Sequence, residues 1–383
     1  MIDRISIENY KSIRELKDFE LKPINVLIGA NGSGKSNFLD VFAFLRDTLH
    51  KDCYKTQPSG NPEYLMGALM KRGEKDSLCF FGADFFQISF STHAFLYSIK
   101  IGWKPPPYHS FYIMDEKFEN KLTDHNYLKR ENDTLYFESN GEFQEVGNRL
   151  SGLAALFENI WTKKDDSVKT FGDAISNFKI YDRINTAPGS PVRTPQEPKG
   201  DTILDEDAGN LADVLNQMSQ NSEVFERQLE RLLKVIFPDF KRISFPVENG
   251  NLLISWENTQ GYTTKTAQLS DGMLKFLSTI AILRNPHLPP LIGIDEPDAK
   301  LHPRMHEIFA DMIREASEKS QIIITTHNPD FVTFFEPEDI LILVLHKGET
   351  EIRRFSDKGA LDLWLENFTK RELWLMGELE SRW

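Results

Sequence analysis

A glycine-rich segment lying between an apolar run and a helical pattern carries the clearest chemical signal in the sequence. Residues 29–36 read GANGSGKS and fit the phosphate-binding pattern GxxxxGK[ST] at every fixed position. Glycines let successive backbone N–H groups turn toward one anion, and the start of a helix adds positive partial charge. The segment therefore predicts a cradle for a nucleoside triphosphate.

The side chains of this cradle have separable expected roles. Lys35 is expected to reach the β- and γ-phosphates, and the hydroxyl of Ser36 to ligate Mg²⁺. A guanine-reading Asn-Lys-x-Asp motif is missing, because the nearest match, residues 120–123, ends in threonine. The expected cofactors are therefore ATP and Mg²⁺. The remaining residues expected around the phosphates are Gly29, Asn31, Gly32, Ser33, Gly34 and Asn37.

Two adjacent carboxylates end an apolar strand pattern far along the chain. Residues 291–296 read LIGIDE, and successive strand residues point to opposite faces. The two acids can therefore take different tasks. Asp295 is placed to hold Mg²⁺ through water, and Glu296 to polarise the attacking water as a general base.

Two further segments flank this strand in the sequence. Residues 269–273 read LSDGM, and Ser270 is a good helix N-cap, so a helix start that can receive a phosphate is expected at Ser270 and Gly272. A second apolar strand pattern, residues 322–324, leads to two threonines and His327. The order of these segments is more specific than any one of them.

This succession resembles the ABC-type ATPase heads. In that family the pentapeptide is usually LSGGQ, the strand ends in the Walker B carboxylates, and a histidine senses the γ-phosphate, which assigns that role to His327. LSDGM departs from LSGGQ at its third and fifth positions. Further motifs resemble compact bacterial ATPases related to the overcoming-lysogenisation-defect and RecF groups: NYKSI from Asn9, GNLADVL from Gly209, IDEPDAKLHP from Ile294 and LWLMGELE from Leu373.

The resemblance implies an α/β fold, that of an ABC-type head, and the patterning predicts in it an inserted antiparallel β subdomain, a helical lobe and no coiled-coil arms. The core lobe is expected from residues 1–50 and 240–383, the β-rich subdomain from 51–149, and the helical lobe from 150–239 with a proline-rich loop at 187–199. Local predictions are an edge strand at 2–10, a buried strand at 24–28, and helices at 36–49, 225–236 and 364–375.

Composition limits the class of protein. The chain has 383 residues, a net charge of −13 and a pI near 5.3, so DNA binding would need a local basic patch. Two cysteines exclude a disulfide framework or a cysteine-based zinc site. With no apolar run long enough for a bilayer and no signal-like start, the expected location is cytoplasmic, with no membrane contact.

The resemblance implies a head-to-tail dimer, or a higher oligomer, that clamps two Mg·ATP between the P-loop of one subunit and Ser270 of the other. It implies the ATPase of a prokaryotic defence or DNA-damage module, whose effector is a separate chain such as a TOPRIM-type nuclease, since the segment after His327 is too short for one. Two alternatives stay open: a RecF-like repair clamp that binds DNA directly, and an ATP-sensing scaffold with negligible turnover. Gln87 or Gln144 is the candidate Q-loop residue, and Lys11 and Ser12 match a motif near the nucleotide.

Overall fold

A computed structural model describes residues 1–49, 72, 75–104, 110–131, 134–139, 142–147, 166–182, 184–299 and 301–354. The predicted helix at 364–375 and the LWLMGELE segment lie outside these residues. The chain divides into two compact units, the first formed by residues 1–178 with the segment from 337 onward, and the second by residues 179–336.

The elements are as follows. Residues 1–178 contain β1 (Arg4–Tyr10), β2 (Ile13–Glu20), β3 (Ile24–Ile28), α1 (Lys35–Asp47), α2 (Lys75–Leu78), β4 (Phe85–Ser91), β5 (Phe95–Lys104), β6 (Ser110–Asn120), β7 (His125–Glu131), β8 (Thr134–Ser139), β9 (Glu142–Gly147) and α3 (Asp166–Ser176). Residues 179–336 contain β10 (Lys179–Tyr181), α4 (Leu211–Asn221), α5 (Glu223–Ile236), β11 (Phe240–Ser244), β12 (Val247–Glu248), β13 (Asn251–Leu252), β14 (Ser255–Asn258), β15 (Thr263–Lys265), α6 (Asp271–Leu283), β16 (Leu291–Ile294), α7 (His306–Ser317), β17 (Gln321–Thr326) and α8 (Pro329–Val332). The hairpin β18 (Ile340–His346) and β19 (Glu349–Arg354) follows.

The first unit contains an eight-stranded antiparallel sheet in the order β2-β1-β4-β5-β6-β7-β8-β9. Alternate residues of its strands point to one face and are buried, as Ile7, Ile88 and Ile99 illustrate on three neighbouring strands. Aromatic rings stack on this face, and the ring centroid of Phe171 on α3 lies 4.7 Å from that of Phe118. Phenylalanine-rich strands therefore build one continuous apolar core beneath α3.

The expectation that residues 2–10 form an edge strand is wrong. β1 is hydrogen-bonded on both sides, to β2 and to β4. Alternation of apolar and polar residues reports only that one face is buried, and it is the same in an edge strand and in an internal strand with one solvated face. The sequence pattern could not tell the two apart.

The same unit holds the buried strand β3, parallel to β18, which continues into β19 through a turn at Gly348. All five residues of β3 are buried. α1 begins seven residues later, and both Phe38 and Phe42 are fully buried on it, their rings edge to face at 5.6 Å. Apolar anchoring of β3 and α1 fixes both ends of the glycine-rich segment between them.

The second unit has a parallel run of strands in which β16 pairs with β10 and with β17. Every residue of β16 and β17 is buried, as expected where parallel strands are covered on both faces. A separate three-stranded sheet, β11-β14-β15, carries Trp256 between Phe237 and Phe240. The predicted helix at 225–236 is confirmed as α5, capped by the hydroxyl of Ser222.

The two units divide the chain differently from the predicted segments. β1 and β2 share a sheet with the strands of the predicted β subdomain, and the predicted core lobe contributes residues to both units. Residues 187–199 form a loop, as predicted, with one 3₁₀ turn at Pro191–Arg193. Within the described ranges, every helix is too short or too polar to cross a bilayer.

Candidate functional site

The glycine-rich cradle, residues 29–36, joins β3 to α1 in the first unit. Gly32 and Gly34 both have positive φ, +81° and +99°, which are strained for residues with a side chain. A Cβ on Gly29 would collide with the carbonyl oxygen of Leu343, and one on Gly34 with the hydroxyls of Thr350 and Ser12. The cradle is therefore a backbone structure that tolerates no side chain at these points.

The side chain of Lys35 folds back onto the backbone of the cradle. Its Nζ donates to the carbonyl oxygens of Gly29 at 2.8 Å and Ala30 at 2.9 Å, and the residue is only 5% exposed. The hydroxyl of Ser33 is buried and has no hydrogen-bond partner among the described residues. A buried ammonium, an orphaned hydroxyl and the start of α1 fit a triphosphate, which offers acceptors to all three.

A hydroxyl relay holds the cradle from behind. The amide of Asn37 and the hydroxyl of Thr350 both donate to the hydroxyl oxygen of Ser12, each at 2.7 Å. The hydroxyl oxygen of Thr350 also lies 3.0 Å from the carbonyl oxygen of Ser33. Ser12 and Asn37, both singled out from the sequence, are thus brought together. Thr350 was missed, because nothing local marks a residue that reaches the cradle from β19.

A buried ion cluster ties α1 to the end of β1. Lys11 lies 2.7 Å from the carboxylate of Asp40, Tyr10 donates to it at 2.5 Å, and Arg72 bridges it to Asp47. Burial opposes ionisation of Asp40, but the charges of Arg72 and Lys11 outweigh it and lower the pKa of the carboxyl below its usual value. Lys11 therefore serves here as a partner of Asp40.

A cavity of about 510 Å³ adjoins the cradle in the first unit. Phe81, 98% exposed, stands at its border, and Lys11, Ser12 and Asn37 form the side next to the cradle. The remaining described residues that line it are Arg72, Lys75, Ser77, Cys79, Phe80, Gly82, Ala83 and Gly348. Its lining includes both aromatic rings, Phe80 and Phe81, and cationic side chains, a combination that suits a flat base and a ribose.

The two carboxylates predicted as metal ligand and base lie in the second unit, at the end of β16. The hydroxyl of Thr325, on β17, donates to Oδ1 of Asp295 and accepts from the backbone N–H of Glu296 at 2.9 Å. Glu296 has a positive φ of 45°, a strained value for a residue with a side chain. Thr325 therefore orients both acids at once.

His327 pairs with Glu296. Its Nε2 lies 2.7 Å from Oε1 of Glu296, and the imidazole is largely buried while the carboxylate is partly exposed. The histidine follows β17 and the glutamate follows β16, and these strands are adjacent and parallel. Carboxyl ends of neighbouring parallel strands meet at one edge of a sheet, which explains why residues so far apart in the chain form a pair.

The helix α6 begins where the sequence predicted. The hydroxyl of Ser270 accepts from the N–H of Met273 at 3.2 Å, which makes Ser270 the N-cap, and Gly272 lies in the first turn. One turn further on, Lys275 donates to the carbonyl oxygen of Glu296 at 3.1 Å. This contact between α6 and the Glu296 peptide was not foreseen, since a helical lysine usually reads as solvated surface.

Asp298, three residues after Asp295, is a buried carboxyl whose pKa is shifted. It is 6% exposed, and one carboxylate oxygen accepts from the hydroxyl of Thr326 at 2.9 Å, while the other has no partner among the described residues. Burial raises its pKa to about 6, from the ordinary value of 3.8. A carboxyl that is half protonated at about pH 6 thus lies two residues from Glu296.

The predicted site residues therefore fall into two groups. Gly29, Asn31, Gly32, Ser33, Gly34, Lys35, Ser36 and Asn37 lie together in the first unit; Ser270, Gly272, Asp295, Glu296 and His327 lie in the second. Of the Q-loop candidates, Gln87 donates to Ser98 across β4 and β5, and the side chain of Gln144 lies outside the described residues.

The chain is similar to known proteins both in sequence and in fold. The model of a family described as "AAA domain, putative AbiEii toxin, Type IV TA system" matches residues 24–333. A curated relative, "Retron Vc95 probable ATPase" of Vibrio cholerae serotype O1 biovar El Tor, is 24% identical over 388 aligned positions, covering 88% of this chain and 72% of that protein.

Solved structures of Smc head domains have a similar fold. An SmcHead bound to the C-winged helix domain of ScpA aligns with a TM-score of 0.52 at 16% identity, covering 94% of this chain and 99% of that one. An Smc head from Pyrococcus furiosus, with an extended coiled coil, gives 0.53 at 14% identity, covering 96% and 99%. The predicted α/β fold of an ABC-type head is confirmed.

Proposed function

The chain belongs to this AAA-domain family and is a compact ATPase of the ABC-type superfamily, and from that premise we propose how it works. Two copies clamp two Mg·ATP head to tail, each nucleotide lying between the P-loop of one subunit and the Ser270 turn of the other. Hydrolysis releases the clamp. The resulting switch controls an effector chain of a prokaryotic defence module.

The contact between Glu296 and His327 carries the catalytic part of the proposal. A carboxylate that accepts a hydrogen bond at 2.7 Å is a proton acceptor held in a fixed direction, as a general base for water must be. With Nε2 of His327 on Oε1, the other oxygen of Glu296 is left for the attacking water, and His327 would lie beside the base and the γ-phosphate. Thr325 keeps the Glu296 backbone and the Asp295 carboxylate in register with each other.

Binding of the nucleotide is assigned to the cradle. Lys35 would leave the carbonyl oxygens of Gly29 and Ala30 for the β- and γ-phosphates, and the backbone N–H groups of residues 32–36 would surround them. Ser36 and Asp295 would hold Mg²⁺, which neutralises phosphate charge when bound. The adjoining cavity with Phe81 would take the base and the ribose.

The composite arrangement is supported by charge. A triphosphate carries several negative charges, and one helix start supplies only about half of a positive charge. The turn capped by Ser270 presents a second helix start, that of α6, with a small hydroxyl beside it. Facing helix starts from two copies would make ATP the link between them, and loss of the γ-phosphate would weaken that link.

The biological context rests on relatives. The family description names a toxin–antitoxin system, and the curated relative carries the name of a retron ATPase. We assign this chain to the same kind of defence system. ATP-driven joining and release of two heads is the step that would be transmitted to a separate effector.

The test is the solution mass of Glu296→Gln measured by light scattering with and without Mg·ATP. Glu296→Gln should bind ATP and stop turnover, so its mass should double with ATP. Ser270→Arg in the same background should stay at the lower mass, because a bulky cation fills the composite site, and Lys35→Ala should not bind ATP. A mass that ATP does not change, with nucleotide bound, would refute the clamp.

A further inference from the structure

The proline-rich loop, residues 187–199, is anchored against the turn that precedes α6. Val192 of its 3₁₀ turn is buried, and the carbonyl oxygen of Gln196 accepts from the N–H of Leu252 at 2.9 Å. Both anchors lie in the second unit and involve residues that the ATPase motifs do not include. The loop therefore has a fixed position beside residues 266–271.

Arg193 is the side chain through which the loop reaches this turn. Its Nη1 donates to the carbonyl oxygens of Leu269 at 2.6 Å and Ala267 at 3.0 Å, and its Nη2 to Oδ1 of Asp271 at 2.7 Å. Its Nε donates to the carbonyl oxygen of Thr186 at 2.6 Å. The side chain of Arg193 is 11% exposed, whereas that of Asp271 is 39% exposed. The guanidinium thus contacts the residues immediately before and after Ser270 in the chain.

Asp271 explains why an arginine is needed there. It is the first residue of α6, at the third position of LSDGM, where the related pattern has glycine. A carboxylate at a helix start cancels the positive partial charge that would attract a phosphate, and it would repel a triphosphate approaching Ser270. The guanidinium of Arg193 neutralises that carboxylate.

We propose that Arg193 is a positioning residue that makes the Ser270 turn receptive to a triphosphate by cancelling the charge of Asp271. It does not touch the substrate. The inference rests on the proposed role of the Ser270 turn, and it gives the proline-rich loop a function: it carries the counter-charge that permits aspartate in place of glycine. Turnover should accordingly tolerate the loss of both charges, those of Arg193 and Asp271, but not the loss of the Arg193 charge alone.

The experiment compares four proteins, the wild type, Arg193→Met, Asp271→Asn and the double variant, by turnover at saturating Mg·ATP. Arg193→Met should lower turnover about tenfold, the effect of one uncompensated charge worth ~1.4 kcal/mol. The double variant should recover to within about threefold of the wild type, and Asp271→Asn alone should change turnover by less than about threefold.

The salt dependence of turnover distinguishes a lost charge from a lost loop structure. The deficit of Arg193→Met should shrink at about 0.5 M salt, because repulsion between Asp271 and the triphosphate is screened, whereas a loop that has merely lost its shape gains nothing. A double variant no better than Arg193→Met, or full activity in Arg193→Met, would overturn the proposal. Neither result depends on whether ATP doubles the mass of Glu296→Gln, so the clamp and the charge balance fail separately.

Folding is checked by thermal unfolding of each variant. If Arg193→Met does not fold, Arg193→Lys takes its place, since it keeps the charge and loses the forked donors. Its turnover should stay within about threefold of the wild type and change little when Asp271→Asn is added. A large deficit in Arg193→Lys that Asp271→Asn leaves unaltered would show that the contacts to the carbonyl oxygens, and not the charge, are what matter.

Discussion

The two groups of site residues are built by different means. The cradle, residues 29–36, is one continuous segment whose shape depends on glycines and on backbone N–H groups. The carboxylate–histidine cluster, Asp295, Glu296 and His327, lies at the ends of β16 and β17. It also contacts Lys275 of α6, which is 52 positions from His327 in the chain. One is a property of local sequence and the other a property of packing.

This difference predicts where each group is vulnerable. In the cradle a single added methyl group should be severe, because the carbonyl oxygens and hydroxyls behind it cannot move without the strands that carry them. In the carboxylate–histidine cluster a side chain can be replaced by one of similar shape with the fold intact. Damage there should appear in turnover before it appears in binding.

Gly34→Ala should have the largest effect. Alanine at φ +99° costs about 1–2 kcal/mol, and its Cβ would collide with the hydroxyls of Thr350 and Ser12. We expect ATP affinity to fall by about 100-fold or more, measured by calorimetry with Mg·ATP. Gly261→Ala is the matched control, since Gly261 lies in the turn between β14 and β15, outside the cradle and its cavity, and has φ +86° and, among the described residues, open space within 4 Å of the new atom. Equal losses in both variants would show that backbone strain, and not crowding at the cradle, is responsible.

The same difference decides what the sequence could predict. The cradle follows from eight contiguous residues, and β3, α1 and the start of α6 follow from apolar runs and an N-cap serine. The pairing of Glu296 with His327 could be expected only in outline, from two apolar strands ending in polar residues. The contacts of Thr350, Lys275 and Arg193 could not be predicted, because each depends on a register or a loop path that only the fold sets.

Thr325→Val should have the next largest effect and should separate catalysis from binding. Valine keeps the shape of the buried threonine but removes the hydrogen bonds to Asp295 and to the N–H of Glu296. An unpaired N–H and an unheld carboxylate together correspond to about 1–3 kcal/mol. We expect turnover to fall about 10- to 100-fold with ATP affinity changed by less than about fivefold, measured by phosphate release and calorimetry.

Thr326→Val is the control for that prediction. Thr326 is equally buried on the same strand, but its hydroxyl serves Asp298 and the N–H of Asn328. Its loss should lower turnover several times less than Thr325→Val does. If both variants lose turnover equally, the strand end acts as one rigid unit, and the assignment of separate tasks to the two threonines is wrong.

The smallest expected effect concerns stability and its dependence on pH. Because burial raises the pKa of Asp298 from 3.8 to about 6, the folded protein binds this proton more tightly than the unfolded chain. The free energy of unfolding should therefore fall as the pH rises from about 4 to 6 and level off above, by at most about 3 kcal/mol from this group.

Asp298→Asn tests this directly, because asparagine keeps the shape and cannot titrate. Denaturant unfolding of both proteins across this pH range should give a difference in unfolding free energy that changes in favour of the variant up to about pH 6 and is constant beyond it. The other carboxyl groups titrate alike in both proteins and cancel. A difference independent of pH would mean that Asp298 ionises freely in the fold. A pH-dependent difference would show that the region around Glu296 keeps a buried carboxyl at a cost to stability, whereas the cradle places glycines, which tolerate positive φ, where the backbone would otherwise be strained.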